Sequence, residues 1–425
     1  MSRYPAHPPG LPARRAALKL LDAVLRRGEP LELALHAAAQ GLAQRADKAL
    51  VHAIVAEVLR RTPDLDALID SATRRVLPAD SKARAVLRIA LAQVLLLKTP
   101  AHAAIATALP LVDGGPRKLV HGVFGALMRN EVSLPERPAL LPEVGERWLA
   151  QWGEAMVEAA RDALAAPPAI DLTLKPGEDT ASWCERLNGT SLLPGHVRLA
   201  ESADITELPG FGEGAWWVQD LAASLPARLL GEGEGRHVLD LCAAPGGKTM
   251  QLASHGWRVT AVDQSKRRLE RLGENLARTG LAAESVQAEL RQWEPQAPVD
   301  AILLDAPCSA TGIFRRHPDV LHRIGERQIG ELAELQEELL QRVAGWLKPG
   351  GTLVYATCSL ERAEGEEQVA RLLEKNREFS LEAAPAELLP VGIAPTPEGW
   401  IRTLPGMLAA EGRLDGFFIA RLRRS

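Results

Sequence analysis

Apolar side chains in the first third of the chain recur at the three- and four-residue spacing that is typical of helices. Leu18, Leu21 and Leu25 form one such stretch, and the same spacing returns in residues 50–58 and 87–95. Prolines separate the stretches, as expected of short turns between helices: Pro63, Pro78, Pro100 and Pro110. The pattern from Arg14 to about residue 130 therefore predicts an all-α domain of roughly five to seven helices.

From Arg236 onward the pattern changes to short apolar strands that alternate with helices. The predicted strands are residues 237–241, 258–263, 299–305, 352–356 and 416–422. Helices are predicted at 265–279 and 326–347, with Lys348-Pro349-Gly350-Gly351 as the stop of the second helix. Strands that alternate with helices predict a doubly wound, mainly parallel sheet.

The residues between these two patterns are mixed. Pro135, Pro138 and Pro142 indicate a linker, and the following stretch combines a helical pattern with an alternating strand at 169–174. We therefore expect an all-α domain (1–130), a linker (131–142), a small α+β subdomain (143–225) and an α/β domain (226–425).

The overall charge of −4 does not indicate a nucleic-acid partner, but its distribution does. Residues 1–130 hold 19 Lys and Arg against 10 Asp and Glu, a local net charge of +9. A basic segment on an acidic body is typical of an RNA-contacting appendage, although the same residues also fit solvated helix faces. No run of eighteen apolar residues is present, so we expect no membrane span.

A glycine-containing loop follows the first predicted strand of the α/β domain. It runs through Cys242, Ala243, Ala244, Pro245, Gly246, Gly247 and Lys248. Glycines at this place let the backbone approach a ligand and present helix N–H groups to it. A triphosphate-binding P-loop would need glycine where Cys242 stands, so that interpretation is rejected. Asp263 ends the next strand, where an acidic residue typically accepts hydrogen bonds from ribose hydroxyls. A cap of the helix that follows Asp263 is compatible with this role.

Two further strand ends each carry a cysteine next to a serine. Asp305-Ala306-Pro307-Cys308-Ser309 follows one strand, and Thr357-Cys358-Ser359 follows another. A single buried cysteine is usually inert, but two thiols at the same edge of a sheet favour chemistry. Zinc is not expected, because the four cysteines form no CxxC pair and no histidine cluster accompanies them.

These three loops resemble the signature of RNA 5-methylcytosine methyltransferases of the Sun/Nop2 type, and among them most closely the bacterial members that modify 16S rRNA. The resemblance extends over nearly the whole chain. It includes segments similar to the NusB-like RNA-binding domain of those enzymes and two shorter landmarks: residues 47–50, 58–60, 98–104, 120–127, 218–220 and 415–418. It implies an all-α NusB-like domain, then a small α+β subdomain, then a Rossmann-like methyltransferase domain.

The resemblance also implies the cofactor and the site roles. The cofactor is S-adenosylmethionine, held by the loop from Cys242 to Lys248 and by Asp263. Cys358 is the nucleophile that adds to carbon 6 of cytosine, and Cys308 assists product release. Asp305 faces either the amino edge of the base or the methionine end of the cofactor. Glu289 is the nearest candidate where the family has an aspartate beside the adenine.

Other functions give different expectations for the same residues. A DNA cytosine methyltransferase would use Cys308 as its nucleophile, and an exocyclic-amine methyltransferase would have an aromatic residue in its place. A third alternative is an inactive rRNA-binding assembly factor. The resemblance implies a cytoplasmic enzyme that acts on 16S rRNA or a small-subunit precursor. We expect a monomer that needs neither a membrane nor a metal. Arg315-Arg316-His317-Pro318 after the Cys308 loop fits a phosphate clamp or a solvated loop.

Overall fold

The computed structural model describes residues 8–165, 167–200 and 203–425. The described residues divide into two compact units. Of these residues, the helical unit contains 8–165 together with Phe314–Gly325, and the sheet unit contains 167–200, 203–313 and Glu326–Ser425. Among the described residues, no helix combines the length and apolarity needed to cross a bilayer.

Residues 11–129, all of them described, form seven α-helices, which confirms the predicted all-α segment. They are α1 (Leu11–Arg27), α2 (Leu31–Ala38), α3 (Arg45–Arg60), α4 (Thr62–Ser71), α5 (Lys82–Leu95), α6 (Ala101–Ala108) and α7 (Gly114–Arg129). A 3-10 turn at Leu109–Leu111 separates the last two. Helix α1 has Pro12 in its first turn and ends at Gly28, which takes a left-handed conformation (φ 67°) that favours glycine.

The predicted linker is held against the helices that precede it. The Arg61 guanidinium donates to the carbonyls of Pro135 (2.8 Å) and Glu136 (3.1 Å), and the Asp64 carboxylate accepts from the Ala139 N–H at 3.3 Å. Helices α8 (Pro142–Trp152) and α9 (Glu154–Leu164) then complete this part of the helical unit. The helical unit thus extends beyond the expected all-α domain to include the linker, α8 and α9. The domain boundaries expected from the sequence remain a prediction.

A small antiparallel sheet opens the sheet unit. Its strands are β1 (Asp171–Leu174), β2 (Gly189–Thr190), β3 (His196–Leu199) and β4 (Trp216–Val218), in the order β2-β3-β1-β4. Strand β1 confirms the predicted strand there. Arg198 binds the buried Asp171 carboxylate through Nε at 2.7 Å and Nη2 at 2.8 Å, which satisfies both charges within the sheet. Helix α10 (Thr180–Arg186) lies between β1 and β2 in the chain, and α11 (Leu221–Arg228) follows β4.

The large sheet has the order β10-β12-β9-β8-β5-β6-β7, with β11 paired to β12. Its strands are β5 (His237–Leu241), β6 (Arg258–Asp263), β7 (Glu284–Gln287), β8 (Val299–Asp305), β9 (Leu347–Thr357), β10 (Phe379–Glu382), β11 (Ile401–Thr403) and β12 (Phe417–Arg424). Strands β5 to β9 pair in parallel, and β10 to β12 are antiparallel additions. The connecting helices are α12 (Gly247–Ser254), α13 (Lys266–Thr279), α14 (Val320–Arg323, in the helical unit), α15 (Glu326–Ala344) and α16 (Glu366–Lys375). The mainly parallel sheet is confirmed.

The predicted helix stop at Lys348-Pro349-Gly350-Gly351 is wrong. Helix α15 already ends at Ala344, and these four residues lie inside β9. They form an irregularity opposite Asp300, where the β8–β9 register shifts. Lys348 Nζ donates to Asp300 Oδ1 at 2.7 Å, and a Cβ on Gly351 would lie 3.0 Å from the Asp300 carbonyl. Proline and glycine here allow a bulge within a strand.

The segment Phe314–Gly325, which follows the Cys308 loop in the chain, is part of the helical unit. Phe314 packs on Trp148 with ring centroids 5.4 Å apart, and the His322 ring bonds the Leu59 carbonyl at 2.8 Å. The Asp319 carboxylate accepts from the Leu31 N–H at 3.2 Å. Arg315 is 4 % exposed, so a solvated loop is the wrong interpretation of this segment.

Candidate active site

The loops singled out in the sequence follow four adjacent parallel strands of the large sheet. Strand β5 lies between β6 and β8, and β9 lies beyond β8. The chain leaves β5 in one direction toward β6 and later returns on its other side with β8, so the strand order reverses beside β5. Ligands of open α/β sheets bind at the carboxyl edge where this reversal occurs.

The glycine-containing loop after β5 is shaped by backbone conformations that glycine favours. Gly246 has a φ of 106°, and a Cβ there would lie 3.0 Å from Cγ of Leu272. Cys242 also has a positive φ of 60°, and burial raises its thiol pKa to about 12. The Ala243 N–H donates to the Val262 carbonyl at 3.1 Å, which fastens the loop to β6. Helix α12 then begins at Gly247.

Asp240 lies beneath this loop rather than at the ligand edge. Its side chain is fully buried, and Thr249 Oγ1 donates to its Oδ2 at 2.5 Å. Among the described residues, Oδ1 has no hydrogen-bond partner. Burial raises the pKa of Asp240 to about 7, because the charged carboxylate is poorly solvated there.

Asp263 and Glu289 stand at the ends of neighbouring strands. Asp263 is 3 % exposed; its carboxylate accepts from the Ala244 N–H (3.2 Å) and the Ser265 N–H (2.9 Å), and pairs with Arg268 at 3.2 Å. Glu289, just after β7, pairs with Arg291 at 3.0 Å, which lowers the pKa of its carboxyl. Asp263 is thus held by two backbone N–H groups and Arg268, whereas Glu289 is held by the backbone and side chain of Arg291.

One cavity of about 280 Å³ is lined by predicted cofactor residues and by the predicted catalytic residues, although from the glycine-containing loop only Cys242 is in its lining. Its wall includes Asp263 and Glu289 on one side and Asp305, Cys308 and Cys358 on the other. Cys242 and the apolar side chains Val262, Leu290, Leu335 and Leu339 complete much of the lining. A mostly apolar cleft with a few converging polar groups is typical of a small-molecule site.

The two strand-end thiols are in direct contact. Cys308 Sγ lies 3.5 Å from Cys358 Sγ. The hydrogen bond with Cys358, together with burial, raises the pKa of Cys308 well above its usual range. Cys308 therefore keeps its proton and can share it with the Cys358 sulfur. A pair of thiols placed in this way can provide one nucleophile and one hydrogen-bond donor.

The loops that carry the thiols are joined through Gly312, whose N–H donates to the Cys358 carbonyl at 3.0 Å. The Gly416 N–H donates to the Gly312 carbonyl at 2.9 Å, and a Cβ on Gly312 would lie 2.0 Å from the Gly416 oxygen. Only glycine fits at such a backbone contact. This explains why Asp415-Gly416-Phe417-Phe418, a landmark of the sequence, belongs to the site.

Lys248 connects the glycine-containing loop to the thiol side. Its Nζ donates to Asp305 Oδ2 at 2.8 Å and lies 5.5 Å from the centre of the Phe417 ring. Burial opposes the charge of the ammonium, but the Asp305 carboxylate outweighs burial and raises the pKa of Lys248. Lys248 is thus a permanent cation beside Asp305.

Sequence reasoning missed the polar residues beneath the thiols. The Glu364 carboxylate accepts hydrogen bonds from Ser309 and Ser359, the serines that follow the two cysteines, and from Gln336. The signal for them in the sequence is the serine that follows each cysteine, Ser309 and Ser359. Glu364 is one of four glutamates in residues 361–367, and their positions in the sequence do not distinguish it from the other three. Among the described residues, no group of three or more His, Cys, Asp or Glu side chains is arranged to hold a metal ion.

A mainly parallel sheet with a cavity at its carboxyl edge is the arrangement of an α/β protein that binds a small ligand there, and comparisons with known proteins identify the class as a methyltransferase. A family model described as "16S rRNA methyltransferase RsmB/F" matches residues 227–423, and a NusB family model matches residues 11–129. The ribosomal RNA small subunit methyltransferase B of Klebsiella pneumoniae is 36 % identical, covering 96 % of this chain and 97 % of the relative. Its namesake in Xanthomonas campestris is 34 % identical, covering 98 % of each chain.

A solved structure adds to these sequence matches. The methyltransferase homologue of Pyrococcus horikoshii superposes with a TM-score of 0.55 at 29 % identity, covering 66 % of this chain and 94 % of that one. The chain therefore belongs to the RsmB/F methyltransferase family and carries a NusB domain at its N-terminal side. The family resemblance that the sequence motifs indicated is confirmed.

Proposed function

We propose that this protein transfers a methyl group from S-adenosylmethionine to carbon 5 of a cytosine in RNA, with 16S rRNA as its substrate. One observation carries the proposal. Two thiols whose sulfurs are 3.5 Å apart line the same cavity as Asp263 and Glu289. A methyltransferase that uses a covalent cysteine adduct needs this combination of a nucleoside site and a thiol.

The residues at the carboxyl edge fit S-adenosylmethionine. The backbone of the loop from Cys242 to Lys248, with the N-terminus of α12, would receive the methionine end, and Asp263 would accept hydrogen bonds from the ribose. Glu289, on the same cavity wall, would lie toward the adenine. When bound, this cofactor supplies a methyl group on a positively charged sulfur.

The chain itself supplies the nucleophile that activates the base. The thiolate of Cys358 forms a bond to carbon 6 of cytosine, and the electron pair of the 5,6 double bond makes carbon 5 nucleophilic. After carbon 5 is methylated, its proton passes to a water molecule, the electron pair of the broken C–H bond reforms the 5,6 double bond, and the bond between sulfur and carbon 6 breaks with its pair left on sulfur. Cys358 is released as a thiolate, so electrons balance over the cycle.

Cys308 has the complementary role. Its raised pKa keeps the thiol protonated, and its S–H can donate to the Cys358 sulfur as that sulfur leaves carbon 6. A hydrogen bond to a departing thiolate speeds the elimination step.

Asp305 and the helical unit would contact the substrate. Lys248 holds the Asp305 carboxylate at the cavity wall, where it can accept from the amino group of cytosine or of the cofactor. The N-terminal residues 1–130, with their net charge of +9, would bind RNA phosphates. A target base within a stem would have to be unstacked at a cost of a few kcal/mol.

The test compares Cys308→Ala and Cys358→Ala with the unmodified protein, each incubated with S-adenosylmethionine and 16S rRNA, free and in the small subunit. Mass spectrometry measures 5-methylcytosine and the protein–RNA adduct. We expect Cys308→Ala to accumulate the adduct because release is slowed, and Cys358→Ala to give neither adduct nor product. Cys184→Ala is the matched control, because Cys184 is a free cysteine in α10 outside the cavity.

Two results would contradict the proposal. An adduct that forms with Cys358→Ala but not with Cys308→Ala would assign the nucleophile to Cys308. Absence of methylation by the unmodified protein on both forms of 16S rRNA would reject the substrate, and absence of S-adenosylmethionine binding would favour an assembly factor.

A further inference from the structure

Glu364 is a fully buried carboxylate between the two loops that carry the thiols. It belongs to a single 3-10 turn, Arg362–Glu364, that follows the Cys358 loop. Neither the cavity lining nor the proposed chemistry uses it. Burying a charge is costly unless hydrogen bonds replace water, so its contacts require an explanation.

On the Cys308 side, Glu364 holds the loop by side chain and backbone. Its Oε1 accepts from the Ser309 N–H at 2.8 Å, and its Oε2 accepts from the Ser309 hydroxyl. Gln336 of α15 links Glu364 to a second residue of this loop, because its Nε2 donates both to Glu364 Oε1 (3.0 Å) and to the Pro307 carbonyl (2.8 Å). The residues on both sides of Cys308 are therefore tied to one carboxylate.

On the Cys358 side, the same carboxylate binds the next residue in the chain. The Ser359 hydroxyl donates to Glu364 Oε2, and the Ser309 and Ser359 hydroxyl oxygens are 3.0 Å apart. Glu364 is itself anchored to β9, since Tyr355 Oη donates to its carbonyl at 2.8 Å. One oxygen atom, Oε2, thus joins the two loops directly.

These bonds account for the buried charge. Burial raises the pKa of Glu364, while hydrogen bonds from Ser309, Ser359 and Gln336 favour its ionised form. Charge-assisted hydrogen bonds of this kind are short and directional, so they fix the loops more tightly than packing alone. The thiols, one residue before each serine, take their separation from this arrangement.

We propose that Glu364 is a positioning residue that sets the Cys308–Cys358 separation by binding Ser309 and Ser359 at the same time. The inference rests on the proposed function for its effect on catalysis, but the geometry it concerns can be measured without RNA. Glu364 acts through the serines and touches neither the base nor the cofactor.

Two substitutions separate positioning from charge. Glu364→Ala removes every bond to the loops. Glu364→Gln keeps an acceptor for the Ser309 N–H, and its amide can donate to hydroxyls that rotate to accept. We expect Glu364→Ala to lower kcat about 100-fold, as a misplaced reacting group does, with KM for RNA and cofactor within about threefold. Glu364→Gln should stay within about threefold of the unmodified protein in kcat.

A second readout does not depend on methylation. A short bifunctional thiol reagent should link Cys308 to Cys358, with the cross-linked peptide measured by mass spectrometry. We expect Glu364→Ala to slow this cross-linking at least about tenfold, because the sulfurs are no longer held together. If Glu364→Ala does not fold, Ser309→Ala and Ser359→Ala each remove one hydroxyl bond and should slow it to intermediate rates.

Gln368→Ala is the matched control. Gln368 is buried in the neighbouring helix α16, and its amide donates to the Ala333 (3.1 Å) and Ala363 (2.7 Å) carbonyls rather than to either serine. The inference is overturned if Glu364→Ala cross-links at the rate of the unmodified protein, if Glu364→Gln loses as much as Glu364→Ala, or if Gln368→Ala loses equally. Cross-linking that responds as expected in a protein that methylates no RNA would support positioning while rejecting the proposed function.

Discussion

The two halves of the active-site edge each stand over a buried carboxylate, and the two carboxylates are satisfied differently. Asp240, beneath the glycine-containing loop, receives one bond from Thr249, and its Oδ1 has no partner among the described residues. Glu364, beneath the thiol loops, receives bonds on both oxygens.

This difference matches what each half must do. The glycine-containing loop is fastened mainly by backbone bonds, such as Ala243 N–H to Val262, and needs little from the side chain below it. The thiol loops carry reacting atoms whose separation matters, and side chains fix them. We call the loops after β8 and β9 the thiol half, and the loop from Cys242 to Lys248 the glycine half. Substitutions in the thiol half should therefore mainly lower the methylation rate, whereas substitutions in the glycine half should mainly lower the stability of the fold.

The largest effect is expected from a substitution that displaces the thiol half and leaves the glycine half in place. Gly312→Ala places a Cβ 2.0 Å from the Gly416 carbonyl oxygen, a backbone atom that cannot move aside. We expect the methylation rate to fall at least about 100-fold while S-adenosylmethionine still binds, because only the thiol loops are displaced. Enzyme kinetics with a parallel cofactor titration would measure both quantities.

Gly330→Ala is the control for that experiment. Gly330 is exposed in α15, and a Cβ there meets nothing within 4 Å. Alanine in a helix is about 0.5–1 kcal/mol more stable than glycine, so the rate should be unchanged. Equal losses of cofactor binding and rate in Gly312→Ala would mean that the two halves are not independent.

An effect of intermediate size is expected on the pH dependence of stability, which tests the buried carboxylate of the glycine half. The folded-state pKa of Asp240 is raised from 3.8 to about 7, so the folded state holds a proton that the unfolded state has released. Stability should then fall as pH rises from about 4 to about 7, by an amount on the order of 4 kcal/mol, and stay level above that. Urea unfolding at pH 5 and pH 8 measures the change.

Asp240→Asn removes this titration while its amide oxygen can still accept from Thr249. Between pH 5 and pH 8 this group contributes about 3 kcal/mol, because part of the fall has already occurred below pH 5. We expect the difference in unfolding free energy between the two pH values to shrink by that amount in the variant. A variant whose stability changes with pH as steeply as that of the unmodified protein would assign the pH dependence to other groups.

The smallest expected effect concerns Glu289. Its carboxylate pairs with the Arg291 side chain, and it lines the cavity from just after β7. Glu289→Gln keeps the length of the side chain and a hydrogen-bond acceptor, so we expect KM for S-adenosylmethionine to rise no more than about threefold, with kcat unchanged. Initial-rate kinetics over a range of cofactor concentrations would measure this. A loss of tenfold or more would make Glu289 a principal cofactor contact.

Much of the site edge could be predicted because it depends on local pattern. Apolar runs such as Val299–Asp305 identify buried parallel strands, and parallel strands bring their carboxyl ends to one edge. Cys308 and Cys358, 50 residues apart in the chain, could therefore be placed together from sequence alone. The cavity that joins them to Asp263 follows from the same topology.

What could not be predicted depends on tertiary contacts. Glu364 and its neighbour Glu361 are both fully buried, and Glu364 is distinguished by its hydrogen bonds to Ser309 and Ser359, which periodicity does not show. Lys348-Pro349-Gly350-Gly351 has the composition of a helix stop, but its pairing opposite Asp300 makes it a bulge in β9. The short strand β11 (Ile401–Thr403) pairs with β12, a tertiary contact that a three-residue segment does not indicate in the sequence.

The membership of Phe314–Gly325 in the helical unit has a consequence for dissecting this protein. A fragment beginning at residue 167 would carry this segment without Trp148 and Leu59, leaving Phe314, Val320 and Leu321 without the helices that bury them. Two fragments cut near residue 166 would act as complementing halves, because each lacks part of a shared core. A cut near residue 166 therefore separates two stretches of sequence but divides the helical unit between both fragments.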